Sequence, residues 1–203
     1  MSNIMITGVS RVGKSTLAKA MYRVLNDSNL NYSLVPFDPF IDAWKDKQSG
    51  GDRSFEKWKE LEFSDTCREM IAYTIKKLSK KQYEKQNFIF ESAHAIYDPR
   101  HFDQIIKEYQ LNKLMMINLL HDTEYTTQEL IQQVRINDNE ADWTFHKSSD
   151  ELQYKFDCAL QANKDALHYF EKNNRMYHVT SYNREQVFES ILNDTCDQLK
   201  IVP

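Results

Sequence analysis

The chain has 203 residues, 41% apolar and 12% aromatic, which suits one globular domain with a substantial core and excludes a disordered chain. Its 30 acidic and 26 basic residues leave a net charge of −4, which gives no footprint for nucleic acid or an anionic membrane surface. Cys67, Cys158 and Cys196 are widely spaced with no metal-ligand pattern, the first residues lack a basic targeting region, and no stretch approaches a membrane span. A soluble, cytoplasmic protein with reduced thiols is therefore expected.

In chain order, residues 4–7 form a short apolar strand, and Gly8-Val9-Ser10-Arg11-Val12-Gly13-Lys14-Ser15-Thr16 follows it. This is G-x-x-x-x-G-K-S between a strand and an opening helix, the context in which the phosphate-binding loop works. Gly8 and Gly13 lack a Cβ, so the backbone can turn tightly and aim successive N–H groups at a phosphate. The positive end of the helix dipole adds to them. Lys14 can reach the β- and γ-phosphates, and the Ser15 hydroxyl can ligate Mg²⁺. The chain has only four glycines, and two of them fall at the positions the motif requires. ATP and Mg²⁺ are thus the expected cofactors, held by Gly8, Ser10, Arg11, Val12, Gly13, Lys14, Ser15 and Thr16.

The first helix carries Leu17, Ala18, Met21, Val24 and Leu25 on one face and stops at the polar cluster Asn26-Asp27-Ser28-Asn29. A second strand is expected at 32–37. It is closed by Pro36 and Pro39 around Phe37-Asp38, a turn that would hold the Asp38 carboxylate toward a substrate as general base. An Asp favoured in a turn for its own hydrogen bonding explains the same residue. Asp42 is a weaker candidate for the same pocket. From 38 to 86 no strand is expected: Gly50-Gly51-Asp52 reads as a loop, and Phe55, Trp58, Leu61, Cys67, Met70, Ile71, Ile75 and Leu78 keep a helical period.

The third strand, 87–91, ends on Glu91 after Phe88-Ile89-Phe90. Apolar residues followed by an acid at a strand end suit a carboxylate that orders water on Mg²⁺. Pro99 turns the chain into a helix near 101–109, and a fourth strand is expected at 114–119. Thr126-Thr127-Gln128-Glu129 and Ser148-Ser149-Asp150-Glu151 read as capping boxes. Between their helices lies a polar stretch, 137–148, with one Trp. A fifth strand is expected at 176–180, and Asn183-Arg184-Glu185-Gln186 caps the last helix. Five buried-type strands separated by helices argue for a parallel sheet covered on both faces, with ligands at the C-terminal strand ends.

An anionic transition state rewards arginine. Arg135 precedes the polar stretch where a closing lid would lie, Arg100 follows Tyr97-Asp98-Pro99, and Arg11 is inside the loop. Each could equally be a surface residue paired with Asp98, Asp138 or nothing. His94 and His121 lack ligand spacing and receive no role.

These segments resemble the P-loop small-molecule kinases, of the adenylate kinase-like and uridine or nicotinamide riboside kinase-like kinds. The resemblance rests on Gly8 to Thr16, on Phe37-Asp38-Pro39-Phe40, on Phe88-Ile89-Phe90-Glu91 and on Val179-Thr180-Ser181-Tyr182-Asn183. It implies a three-layer α/β/α fold with a five-stranded parallel sheet in the order 2-3-1-4-5. A helical insertion at about 38–86 would bind the acceptor, and a lid would lie at about 135–150. It implies catalysis by Lys14, Asp38, Glu91 and Arg135, with Ser15 and Glu91 as the metal residues. Asp38, Tyr97 and Arg100 would contact a small-molecule acceptor, and adenine would lie near Ser181-Tyr182-Asn183. The favoured reading is transfer of the γ-phosphoryl group of ATP to a nucleoside-like hydroxyl, by a monomer or homodimer with no nucleic-acid or membrane partner. A nucleoside monophosphate kinase and a slow regulatory NTPase are the alternatives. The sequence departs from the resemblance at Arg11, where many such kinases have Gly, and in its lid, which has one clear Arg.

Overall fold

A computed structural model describes residues 2–52, 54, 57, 61, 65–80, 86–111, 113–140 and 142–201. Phe55 and Trp58, expected in the helical insertion, lie outside these residues. The strands are β1 (Ile4–Gly8), β2 (Tyr32–Pro36), β3 (Asn87–Ser92), β4 (Met115–Leu120) and β5 (His178–Val179). The helices are α1 (Lys14–Asp27), α2 (Asp38–Gln48), α3 (Asp65–Leu78), α4 (Pro99–Glu108), α5 (Thr127–Asn137), α6 (Ser149–Lys172) and α7 (Arg184–Leu199). The strands form one parallel sheet in the order β2-β3-β1-β4-β5 between helical layers.

The central strand is apolar on both faces because both are covered. Every residue of β1 is buried, as parallel sheets under helices require. Alternation along the strands then divides the core. Ile4, Ile6 and Ile89 join a cluster with Leu17, Met21 and Leu25 of α1, Ala159 and Ala166 of α6, and Phe188 and Ile191 of α7. Met5, Phe88 and Phe90 point the other way, into a cluster with Ile41 of α2, Ile71 and Ile75 of α3, and Phe102 and Ile105 of α4. A smaller cluster packs Leu130 and Val134 of α5 on Leu152 and Phe156 of α6.

The register of this sheet builds the site. Ile6 of β1 lies beside Glu91 of β3, and Gly8 lies beside Leu119 of β4. The phosphate loop, the β3 acid and the start of α2 therefore leave the sheet at one end.

Local differences from the sequence reading have simple causes. Phe37 caps α2 instead of ending β2, and Asp38 is the first helical residue instead of a turn residue, with Pro39 in the first turn, where its missing N–H costs no hydrogen bond. The strand expected at 176–180 shrinks to two residues, and Met176 is exposed, as an edge strand permits. The capping boxes of α5 and α6 are both formed. Asn183 sits at the N-cap of α7, but its side chain makes no capping bond. Among the described residues no helix is long and apolar enough to cross a membrane.

Candidate active site

The loop between β1 and α1 is held by its carbonyl oxygens. The Ser10 carbonyl lies 3.0 Å from His121 Nε2. Arg184 Nη2 donates to the Arg11 carbonyl at 3.0 Å, and the Thr180 hydroxyl donates to the Val12 carbonyl at 2.9 Å. Lys14 Nζ donates back to the Val9 carbonyl at 3.0 Å. Four consecutive loop carbonyls are thus tied to side chains, which leaves the N–H groups of the loop free of these contacts, as an anion-binding nest needs.

Glycine chemistry sets the loop's shape. A Cβ on Gly8 would stand 2.5 Å from the Leu119 carbonyl oxygen and 2.7 Å from Val12 Cγ2. Gly13 has φ +92°, and a Cβ there would stand 2.7 Å from Phe188 Cζ. Gly13 is also the N-cap of α1, and it offers that helix no side-chain acceptor. The sequence caps α4, α5 and α6 with Asp98, Thr126 and Ser148, yet leaves the N-terminus of α1 open toward the cleft. An open helix N-terminus with aligned N–H groups fits a phosphate.

A cavity of about 510 Å³ lies over this loop. Ser10, Arg11, Gly13, Lys14, Ser15 and Thr16 form its floor, and Glu91 and Asp38 rise on one side. The Ser15 hydroxyl donates to Glu91 Oε1 at 3.1 Å. Burial raises the Glu91 carboxyl above its usual range; the nearby Lys14 ammonium opposes the shift and Asp38 adds to it. Burial lowers the Lys14 ammonium, and Glu91 and Asp38 oppose that. A hydroxyl and a carboxylate set together beside the phosphate cradle are the oxygen donors a Mg²⁺ ion takes, directly or through water. The site therefore fits the nucleotide and the ion that the loop motif implies.

Solved structures share this architecture at low identity. The tunicamycin resistance protein of Deinococcus radiodurans superposes with a TM-score of 0.59 at 11% identity, over 100% of this chain and 98% of that one. A gluconokinase from Sinorhizobium meliloti 1021 superposes at 0.55 with 14% identity, over 98% and 95% of the two chains. The shikimate kinase of Acinetobacter baumannii, in complex with shikimate, superposes at 0.51 with 12% identity, over 98% and 94%. This chain has the P-loop kinase fold. No protein-family model matches its sequence, and no curated protein matches it.

Within the P-loop kinase fold, the expected site residues divide. Ser10, Arg11, Gly13, Lys14, Ser15, Thr16, Asp38, Glu91 and Tyr97 all line the cavity. Gly8 and Val12 do not: Gly8 packs under the Leu119 carbonyl and the Val12 side chain is in the core, so both serve the loop through its backbone. Arg135 stands outside the lining, exposed, and donates to the Lys147 carbonyl at 2.9 Å. Arg100 is exposed in the first turn of α4, also outside the lining.

Other residues reach the site without having been expected there. Lys45 is 3% exposed yet lines the cavity, and its spacing of four from buried Ile41 is the helical signal that places it on that side. Tyr154, Lys155 and Arg184 also line it, beside Trp143 and Lys147 of the segment expected as a lid. His121, buried and stacked on Tyr125 at 4.9 Å, braces the loop from behind. Its backbone is fixed on both sides by the Asn163 amide. No spacing in the sequence signals this histidine.

Proposed function

We propose that the protein is an ATP- and Mg²⁺-dependent phosphotransferase that moves the γ-phosphoryl group to a hydroxyl of a small metabolite, with a nucleoside-like acceptor favoured. The observation that carries this reading is the convergence of three groups on one cleft: the carbonyl-braced phosphate loop, the Ser15–Glu91 pair and Asp38. A module that only bound nucleotide would have little use for a second carboxylate in the cleft beside the Ser15–Glu91 pair.

In this reading the loop N–H groups and Lys14 hold the β- and γ-phosphates. Ser15, and Glu91 through water, would hold Mg²⁺, which offsets charge on the phosphates when bound. Asp38 accepts the proton of the acceptor hydroxyl as that oxygen bonds to the γ-phosphorus and the bond to the β-bridging oxygen breaks, releasing ADP. Lys147 and Lys155 take the charge-neutralising place first assigned to Arg135. The segment at about 38–86 forms the acceptor side and the segment at about 135–150 the lid. Tyr97, Tyr154 and Trp143 give the cleft aromatic walls, which suit a ring-shaped acceptor. A nucleoside monophosphate acceptor is less well served, because Arg100 stands away from the cleft.

The test is ADP formation from ATP·Mg²⁺ across a panel of hydroxylated metabolites, nucleosides and nucleoside monophosphates, with ATP affinity measured for wild type and Lys14→Ala. Acceptor-dependent ADP release and weaker ATP binding by the variant are expected. No turnover with any acceptor, together with equal ATP binding by Lys14→Ala, would overturn the reading.

A further inference from the structure

Arg11 belongs to two parts of the molecule at once. Its backbone is part of the phosphate loop, in the left-handed region at φ 68°. Its guanidinium leaves the loop and enters the segment between α5 and α6. There Nη2 lies 2.6 Å from Asp138 Oδ1 and also donates to the Thr144 hydroxyl, while Nη1 lies 3.9 Å from Asp142 Oδ1. The Asp138 side chain is only 4% exposed and Thr144 is fully buried. The Thr144 hydroxyl in turn donates to Asp138 Oδ2. These are charge-assisted contacts from a guanidinium that is 28% exposed to two buried partners, the kind that holds position.

The segment they hold is a string of turns with little core of its own. The Asn139 N–H donates to Asp142 Oδ2 at 3.0 Å. The Phe145 and Lys147 N–H groups donate to the carbonyls of Asp142 and Thr144 at 3.0 and 3.1 Å. Trp143 is 49% exposed, yet it and Lys147 line the cavity above the phosphate loop. Among the described residues, Arg11 links this string back to the phosphate loop.

We propose that Arg11 is a positioning residue: its pairing with Asp138 and Thr144 holds the 138–147 segment over the phosphate loop and couples that closed arrangement to nucleotide binding. The coupling rests on the kinase reading above; the anchoring does not. A phosphate seated on the loop's N–H groups orders the backbone of the same residue whose side chain anchors the lid, so ordering either end favours the other.

Hydrogen–deuterium exchange of the full chain without ligand tests the anchor. Arg11→Gly and Asp138→Asn should each speed exchange in 138–147 by about tenfold while β1 and β3 keep their protection. Each should weaken ATP·Mg²⁺ binding, read by calorimetry, by about tenfold; the double variant should be no weaker than either single one, and Arg11→Lys should recover part of the loss. Glycine tolerates the left-handed backbone at this position, so Arg11→Gly removes the side chain without threatening the loop's conformation. Unchanged exchange at 138–147 in Arg11→Gly would overturn the proposal. So would weaker ATP binding in Arg11→Gly with none in Asp138→Asn, which would make Arg11 a phosphate ligand only. If wild type binds no ATP·Mg²⁺, the kinase reading fails while the exchange result still decides the anchor.

Discussion

The Ser15 hydroxyl and Glu91 Oε1 lie 3.1 Å apart although 76 residues separate them in the chain. The β1–β3 register makes the pair: it sets Ile6 beside Glu91, and the loop after β1 brings Ser15 back over the strand end. If the pair holds one Mg²⁺ ion, as proposed, the two groups should not behave independently. Ser15→Ala and Glu91→Gln should each lower turnover by about 100-fold and raise the Mg²⁺ concentration for half-maximal rate. The double variant should be little worse than the poorer single one. Additive losses, measured as ADP release against Mg²⁺ concentration, would show that the two side chains serve separate purposes.

The close approach of Gly8 to the next strand is steric and concerns backbone. A Cβ at 2.5 Å from the Leu119 carbonyl meets an atom that cannot rotate away. Gly8→Ala should cost about 3 kcal/mol by urea unfolding and also weaken ATP binding. Gly50 makes the contrast: its φ is +66° but nothing lies within 4 Å of a Cβ there. Gly50→Ala should cost only about 1 kcal/mol, the backbone preference alone. Equal costs at the two positions would mean that the loop shifts to accommodate Gly8→Ala.

His121 carries a pH signature. Burial is the largest cause that lowers its pKa, to about 4, against the hydrogen bond to the Ser10 carbonyl that raises it. A histidine neutral in the fold but protonated when unfolded makes the unfolded chain bind more protons between pH 4 and about 6.5. Stability from this group is therefore intact at neutral pH and declines as pH falls through that window. From pH 7 to pH 5 wild type should lose about 2 kcal/mol more than His121→Gln. Urea unfolding at the two pH values checks this. A variant with the same pH slope as wild type would show that the slope comes from other groups.

The placement of the phosphate loop and of Glu91 at one cleft was legible in the sequence because it depends on local rules. Glycine spacing, a lysine and a hydroxyl at fixed offsets, and an acid after three apolar residues all keep their meaning once the strands pair. The same holds for the two capping boxes, whose reciprocal bonds span three residues. That Arg135 stands outside the cavity lining has a reason the pattern itself contained: it adjoins Val134, which packs on α6, so it is turned about a quarter-turn away from the buried stripe and toward solvent. The sequence offered Asp138 as a possible arginine partner, but that Arg11 is the arginine it takes and that Thr144 joins them were beyond reach, since both lie more than 120 residues from Arg11 and no periodicity links a loop to a string of turns. His121 and Thr180 brace the loop from the positions just after β4 and β5 through bonds to backbone carbonyls, and backbone carbonyls leave no trace in side-chain patterns.

Asp38 distinguishes transfer to an alcohol from every other reading of this cleft. It opens α2, and the Phe37 N–H just before it donates to the Glu91 carbonyl at 2.9 Å, which ties the start of α2 to the end of β3. Asn has the same shape and still binds hydroxyls, but it cannot take their proton. Asp38→Asn should therefore lower kcat for an alcohol acceptor by about 10² to 10⁴ while changing the acceptor KM by less than about threefold. Binding of ATP·Mg²⁺ should stay within about twofold of wild type, because the phosphate loop does not include this residue. A phosphate acceptor arrives largely deprotonated and needs no base, so with such an acceptor the same variant should lose only about tenfold. Full turnover by Asp38→Asn on an alcohol would remove the base from the mechanism and leave Asp38 as an acceptor ligand.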